Sequence, residues 1–91
     1  MSRYKWDRGK ARDNLAKHGV SFEEASTVPD SALARWVSDP RFAYEDRFLV
    51  TGYSSIGTLL IVVTSERGPR PHIISARRAS KRERHAYEAR P

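Results

Sequence analysis

A chain of 91 residues, 38% hydrophobic and 31% charged, is long enough for one modest core and excludes both a second domain and a disordered polymer. The absence of cysteine excludes disulfides and cysteine-ligated zinc, and the longest apolar run, residues 59–63, is too short to span a bilayer. The formal charge of +6 comes wholly from the last quarter, where residues 67–91 hold eight Lys or Arg against two acids while residues 1–66 hold nine of each.

Asp7 is placed to cap a first helix, with Trp6 and Ala11 in the two staple positions. Ala11, Leu15 and His18 continue one face of that helix until Gly19 stops it. Ser21-Phe22-Glu23-Glu24 reads as a capping box that opens a second helix at once. Phe22, Ala25 and Val28 form its inner side and Pro29 ends it, so the two helices make a hairpin. The pattern then changes to short β-type runs. A strand is expected at 33–37, a turn at Asp39-Pro40, and strands at 48–53 and 59–64 joined by a hairpin turn at 54–57. The turn at 66–71 leads into a strand over 72–77. Ser80-Lys81-Arg82-Glu83 is another capping box, starting a last helix through about residue 89.

The expected fold is therefore α+β in the order ααββββα, one domain over residues 1–91: two N-terminal helices, a four-stranded antiparallel sheet and a C-terminal helix. Such a sheet buries one face under helices and leaves the other available. Residues 59–64 are apolar on both faces, which predicts a central strand. Period-two alternation places Arg77 with Ile73 and Ser75, and Arg78 with His72 and Ile74, on opposite faces.

A cationic surface concentrated in this way points to a nucleic acid or an acidic protein partner. An anionic membrane fits less well, because the basic tail lacks a wide apolar face. The first six residues hold no apolar stretch of the secretory kind, so a reducing cytoplasm is the expected compartment.

Several strings in this order resemble the BrnT family of bacterial type II toxins. They are Trp6-Asp7, Lys17-His18-Gly19-Val20-Ser21-Phe22-Glu23-Glu24-Ala25, Glu45-Asp46-Arg47, Ile73-Ile74-Ser75-Ala76-Arg77-Arg78-Ala79, and Glu83-Arg84 with Tyr87. The likeness runs over nearly the whole chain. It implies a compact RelE-like fold and a ribonuclease activity that blocks translation. It also implies a BrnA-like antitoxin, a DNA-binding protein of the ribbon-helix-helix type that docks on the toxin in a higher-order complex.

RNA carries its own nucleophile, the 2′-OH, so its cleavage needs a base, an acid and cations where charge builds on the phosphorane. The histidines His18, His72 and His85 share no ligand spacing, and the adjacent acids Glu23-Glu24 and Glu45-Asp46 point apart, so neither metal nor other cofactor is expected. Arg77, at the end of a strand, is the leading transition-state stabiliser, with an ion pair to Glu45 or Asp46 as the alternative. Arg67, in the preceding turn, either completes a clamp with Arg77 or is solvated. His18 serves as base or acid, or simply complements the helix dipole. Glu45 and Arg47 flank the active face or pair with each other to hold register. Arg78, Lys81, Arg82, Arg84 and Lys17 are candidates for binding nucleic acid, although a solvated helix face explains Lys81 and Arg84 equally well. Tyr53 and Tyr87 stack on bases or bury their rings, while Trp6, Phe22 and Trp36 are expected in the core.

The reading with most support is a metal-independent endoribonuclease. Two alternatives stand beside it: a non-catalytic basic module that binds RNA or DNA, and an interaction protein that holds an acidic partner.

Overall fold

The computed structural model describes residues 2–89. Helix α1 (Arg8–His18) begins where the Asp7 carboxylate accepts the Lys10 backbone N–H at 2.9 Å, and it ends at Gly19, whose φ of 69° suits a residue without Cβ. Its inner face differs from the one expected. Leu15 is 51% exposed, whereas Asn14, one position earlier, is only 7% exposed. The Asn14 amide donates to the carbonyls of Val20 (3.0 Å) and Ala76 (2.9 Å) and accepts the Ala76 N–H (3.1 Å), which bonds the helix directly to a strand.

Helix α2 (Phe22–Ala25) is a single turn. Ser21 Oγ accepts the Glu24 N–H at 3.0 Å, but the reciprocal half of the box is missing, because the Glu24 carboxylate accepts from Ser54 Oγ at 2.7 Å. The helix stops before Pro29 because Ser26 and Thr27 hydroxyls donate to the carbonyls of Glu23 and Glu24 and compete with continued helical bonding. Phe22, Ala25 and Val28 are nonetheless fully buried, as their spacing predicts.

Strands β1 (Arg35–Ser38), β2 (Arg47–Tyr53), β3 (Leu59–Ser65) and β4 (His72–Arg78) form one antiparallel sheet in the order β1-β2-β3-β4. A kinked 3-10 segment, Pro40–Glu45, occupies the place of the expected turn after Asp39, and Asp46 at φ 51° returns the chain to β2. The row Trp36, Val50, Val62, Ala76 faces α1 and α2, where Val50, Val62, Ala76 and Leu60 meet Phe22, Val20 and Val28 in the core. Trp36 itself is partly exposed on the edge strand and packs edge-to-face on Phe48, with ring centroids 5.4 Å apart. The adjacent row Arg35, Thr51, Ile61, Arg77 faces the other way.

A β-bulge corrects the expected parity of β4. Val63 pairs with Ser75 and Thr64 with Ile73, leaving Ile74 as the extra residue. Ile73 and Ala76 therefore both point into the core, and Arg77 lies on the face opposite to Ile73 instead of sharing it.

Helix α3 (Lys81–Ala89) folds back over this second face, so that face is only partly open. Its capping box is complete: Ser80 Oγ accepts the Glu83 N–H at 3.2 Å, and Glu83 Oε1 accepts the Ser80 N–H at 2.8 Å. Tyr87 packs edge-to-face on Tyr53, with ring centroids 6.0 Å apart, and donates its hydroxyl to the Leu33 carbonyl at 2.7 Å.

Candidate active site

Between the sheet and α3 lies a concavity of about 240 Å³. Its floor is the cross-strand row Arg35, Thr51, Ile61, Arg77 together with Val37 and Leu49, and α3 contributes Glu83, Ala86 and Tyr87. Three strand spacings separate the backbones of Arg35 and Arg77, roughly 14 Å, so an apolar floor has one guanidinium at each side.

Arg77 makes a bidentate pair with Glu83, Nη1 to Oε1 at 2.7 Å and Nη2 to Oε2 at 2.9 Å, and Nη1 also donates to the Arg78 carbonyl at 3.3 Å. Its side chain remains 46% exposed. The hydrogen bonds from Arg77, then that from the Ser80 backbone, hold the Glu83 carboxyl down at about 2, and the same pairing raises Arg77. Glu83 is thus an anion under all physiological conditions and fixes the end of the guanidinium. The side edge, Nε–H and the second Nη2 hydrogen, has no partner among the described residues and can take a second oxyanion.

This geometry corrects one expectation. Arg77 pairs with Glu83 of α3, and neither Glu45 nor Asp46 reaches it. Arg78 lies on the opposite face of the sheet, where alternation along the strand places it. It crosses to the helix side, where Nη1 donates to the His18 carbonyl at 3.0 Å. Gly19 lies directly beside it, where a Cβ would stand 3.4 Å from Arg78 Nη1, an ordinary contact, so the glycine is favoured by its positive φ.

The other predicted residues fall into three places. Arg67 lies in the loop before β4, opposite the end that holds Arg77, and donates to the Tyr44 carbonyl at 3.4 Å, so no Arg67–Arg77 clamp forms. Glu45 and Arg47 are in that same region. They form an ion pair at 3.5 Å, with the Arg47 guanidinium 4.3 Å from the Phe42 ring centroid. His18 and Lys17 line a separate hollow between α1 and β4. Lys81, Arg82 and Arg84 stand exposed on α3; Arg84 reaches Tyr53 Oη at 3.3 Å and Glu88 at 3.8 Å, while Lys81 and Arg82 have no partner among the described residues. The Tyr53 hydroxyl donates to Glu88 at 2.6 Å, a bond that raises its pKa.

Sequence reasoning passed over Arg35 and read Glu83 only as a cap. Strand order combined with period two would have placed Arg35 in the row of Arg77. The Glu83–Arg77 pair depends on how α3 turns back, which local sequence does not encode. Among the described residues, no three His, Asp or Glu side chains are grouped as metal ligands would be, and no helix is long and apolar enough to cross a membrane.

Comparison with known proteins gives this geometry its context. The model of a family described as the ribonuclease toxin BrnT of type II toxin-antitoxin systems matches residues 6–83. The 1.1 Å crystal structure of the Brucella abortus ribonuclease toxin BrnT is similar, with a TM-score of 0.69 and 24% identity, covering 89% of this chain and 100% of that one. No curated protein matches. The likeness in three dimensions meets the expected α+β architecture. The family match extends over α1, α2, all four strands and the first residues of α3, and so the chain belongs to the BrnT family of type II ribonuclease toxins.

Proposed function

We propose that this toxin is an endoribonuclease that needs no metal and that it cuts RNA in the cleft between the sheet and α3. The 2′-OH attacks the adjacent phosphodiester, the P–O5′ bond breaks, and the products carry a 2′,3′-cyclic phosphate and a 5′-OH. The observation that carries this reading is Arg77, anchored end-on by Glu83 with its side edge unpaired among the described residues. An anchored guanidinium is pre-organised to bind the charge that develops on the phosphorane.

Glu83 acts as the positioning residue. A carboxylate with a pKa of about 2 is a poor proton acceptor near neutrality, so it is not assigned as the general base. Arg35, at the opposite side of the floor, holds a neighbouring phosphate. The cleft lining contains no histidine, and His18 lies on the helix side of the sheet, so catalysis rests chiefly on electrostatics and orientation. Glu45, Arg47 and Arg67 maintain the far end of the sheet. Arg78, Lys81, Arg82, Arg84 and Lys17 supply phosphate contacts outside the cleft. The protein works in the cytoplasm and is held in check by a BrnA-like antitoxin of the ribbon-helix-helix type.

The test is incubation of purified toxin with RNA in excess EDTA, followed by analysis of the ends. Cleavage with 2′,3′-cyclic phosphate termini is expected. RNA that stays intact until a divalent cation is restored would refute the metal-free mechanism.

A further inference from the structure

Ion pairs among the described residues are Arg3–Asp30, Arg3–Glu66, Arg41–Asp39, Arg47–Glu45, Arg77–Glu83 and Arg84–Glu88. None involves α1, although that helix carries Arg8, Lys10, Arg12 and Lys17. Arg8 and Lys10 sit in its first turn, which holds no acid, and the positive end of a helix dipole disfavours cations. Helix stability therefore does not account for them.

Lys10, Asp13, Asn14, Lys17 and His18 recur at i, i+3, i+4, i+7 and i+8, a single stripe on the helix. Together with Ile74 and Ser75 of the bulged strand they line a hollow of about 220 Å³. The Asn14 amide is committed to Val20 and Ala76, which leaves the two lysines and His18 as the side-chain donors that α1 contributes. Arg78 reaches the same end of α1 through its bond to the His18 carbonyl.

We propose that this hollow is a second phosphate seat for single-stranded RNA, held by Lys10 and Lys17. It deepens the ribonuclease reading above and rests on it for the direction of the strand. Arg77 and Arg78 leave the end of β4 toward opposite faces, so RNA that passes that end meets the cleft on one side and the hollow on the other. The lysines are two turns apart, about 10 Å along the helix axis, and their long flexible side chains can close that span onto two phosphates of one strand. Asp13 lies between them and opposes anion binding, pairing with neither. A protein partner fits the hollow less well, because stable protein interfaces are centred on apolar or aromatic anchors and Ile74 is the one large apolar side chain here.

The probe is a short single-stranded RNA with 2′-O-methyl groups, which cannot be cut, and the readout is fluorescence anisotropy over a range of KCl concentrations. The Lys10→Ala/Lys17→Ala protein is expected to bind about tenfold more weakly, with a salt slope lower by about 1.4, or about 0.7 for each phosphate no longer neutralised. Asp13→Asn is expected to tighten binding. Circular dichroism should show both variants folded, since all three side chains are exposed on α1. Unchanged affinity and slope in the double variant would overturn the proposal. So would loss of antitoxin binding in that variant with RNA binding intact, which would assign the hollow to a protein contact. Because the probe is uncleavable, a toxin that binds through these lysines but fails to cut natural RNA would refute the cleavage mechanism and leave this seat standing.

Discussion

Asn14 shows what a single polar side chain can do in a small core. Its amide satisfies both backbone groups of Ala76, 62 positions away, and so secures the outer edge of β4 to α1. Replacement by alanine takes the Asn14 partner from the Ala76 N–H and from the carbonyls of Ala76 and Val20, and the expected loss is about 2 kcal/mol or more in urea titrations. A change below about 0.5 kcal/mol would mean that water satisfies those groups. Glu83 makes a different prediction, about acid. Its folded pKa is depressed from 4.5 to about 2, so its stabilising contribution is complete above about 4.5 and falls away as the pH drops toward about 2. Glu83→Gln lacks that component and should show a flatter stability profile between those limits. Parallel profiles for the two proteins would show that the Arg77 pair contributes nothing in solution. The caps at Asp7, Gly19, Ser21 and Ser80 were legible in the sequence because their partners lie within four residues. Asn14 was not, because its role exists only once β4 lies beside it.

Strands could be read from alternation to within two residues, and the last helix from its capping box. Three features escaped. Helix α2 is shorter because side-chain hydroxyls take over its carbonyls, and the 3-10 segment lacks a periodic signature. The bulge is the costly omission, since it reverses which face Arg77 occupies and is defined by pairing with β3, not by β4 alone. The capping box of α3 has a double role, because its Glu83 both accepts the Ser80 N–H and holds Arg77. Ser80→Ala should cost about 1 kcal/mol of stability and raise hydrogen exchange in the first turn of α3. No change in either would show that the Glu83 half of the box suffices to start the helix.

In the assembled molecule the two edges of the sheet are treated differently. The β4 edge is covered by Lys5, which exchanges backbone bonds with Pro71 and Ile73, and by Asn14, whereas all four residues of β1 are exposed. The two faces are also unlike: one is the core beneath α1 and α2, the other a basic-rimmed cleft beneath α3. The charge bias of the last quarter indicated where the cations are, and alternation along β4 that they leave it toward both faces. The family match shows a ribonuclease toxin, and the cleft is the place of reaction in the function proposed above. The most direct measurement is the single-turnover rate of RNA cleavage by the Arg77→Ala protein beside the parent, with thermal unfolding followed on both. A fall of about a hundredfold or more with the fold retained is the expected result. Cleavage at the parental rate by a folded Arg77→Ala protein would contradict it and move the chemistry out of this cleft.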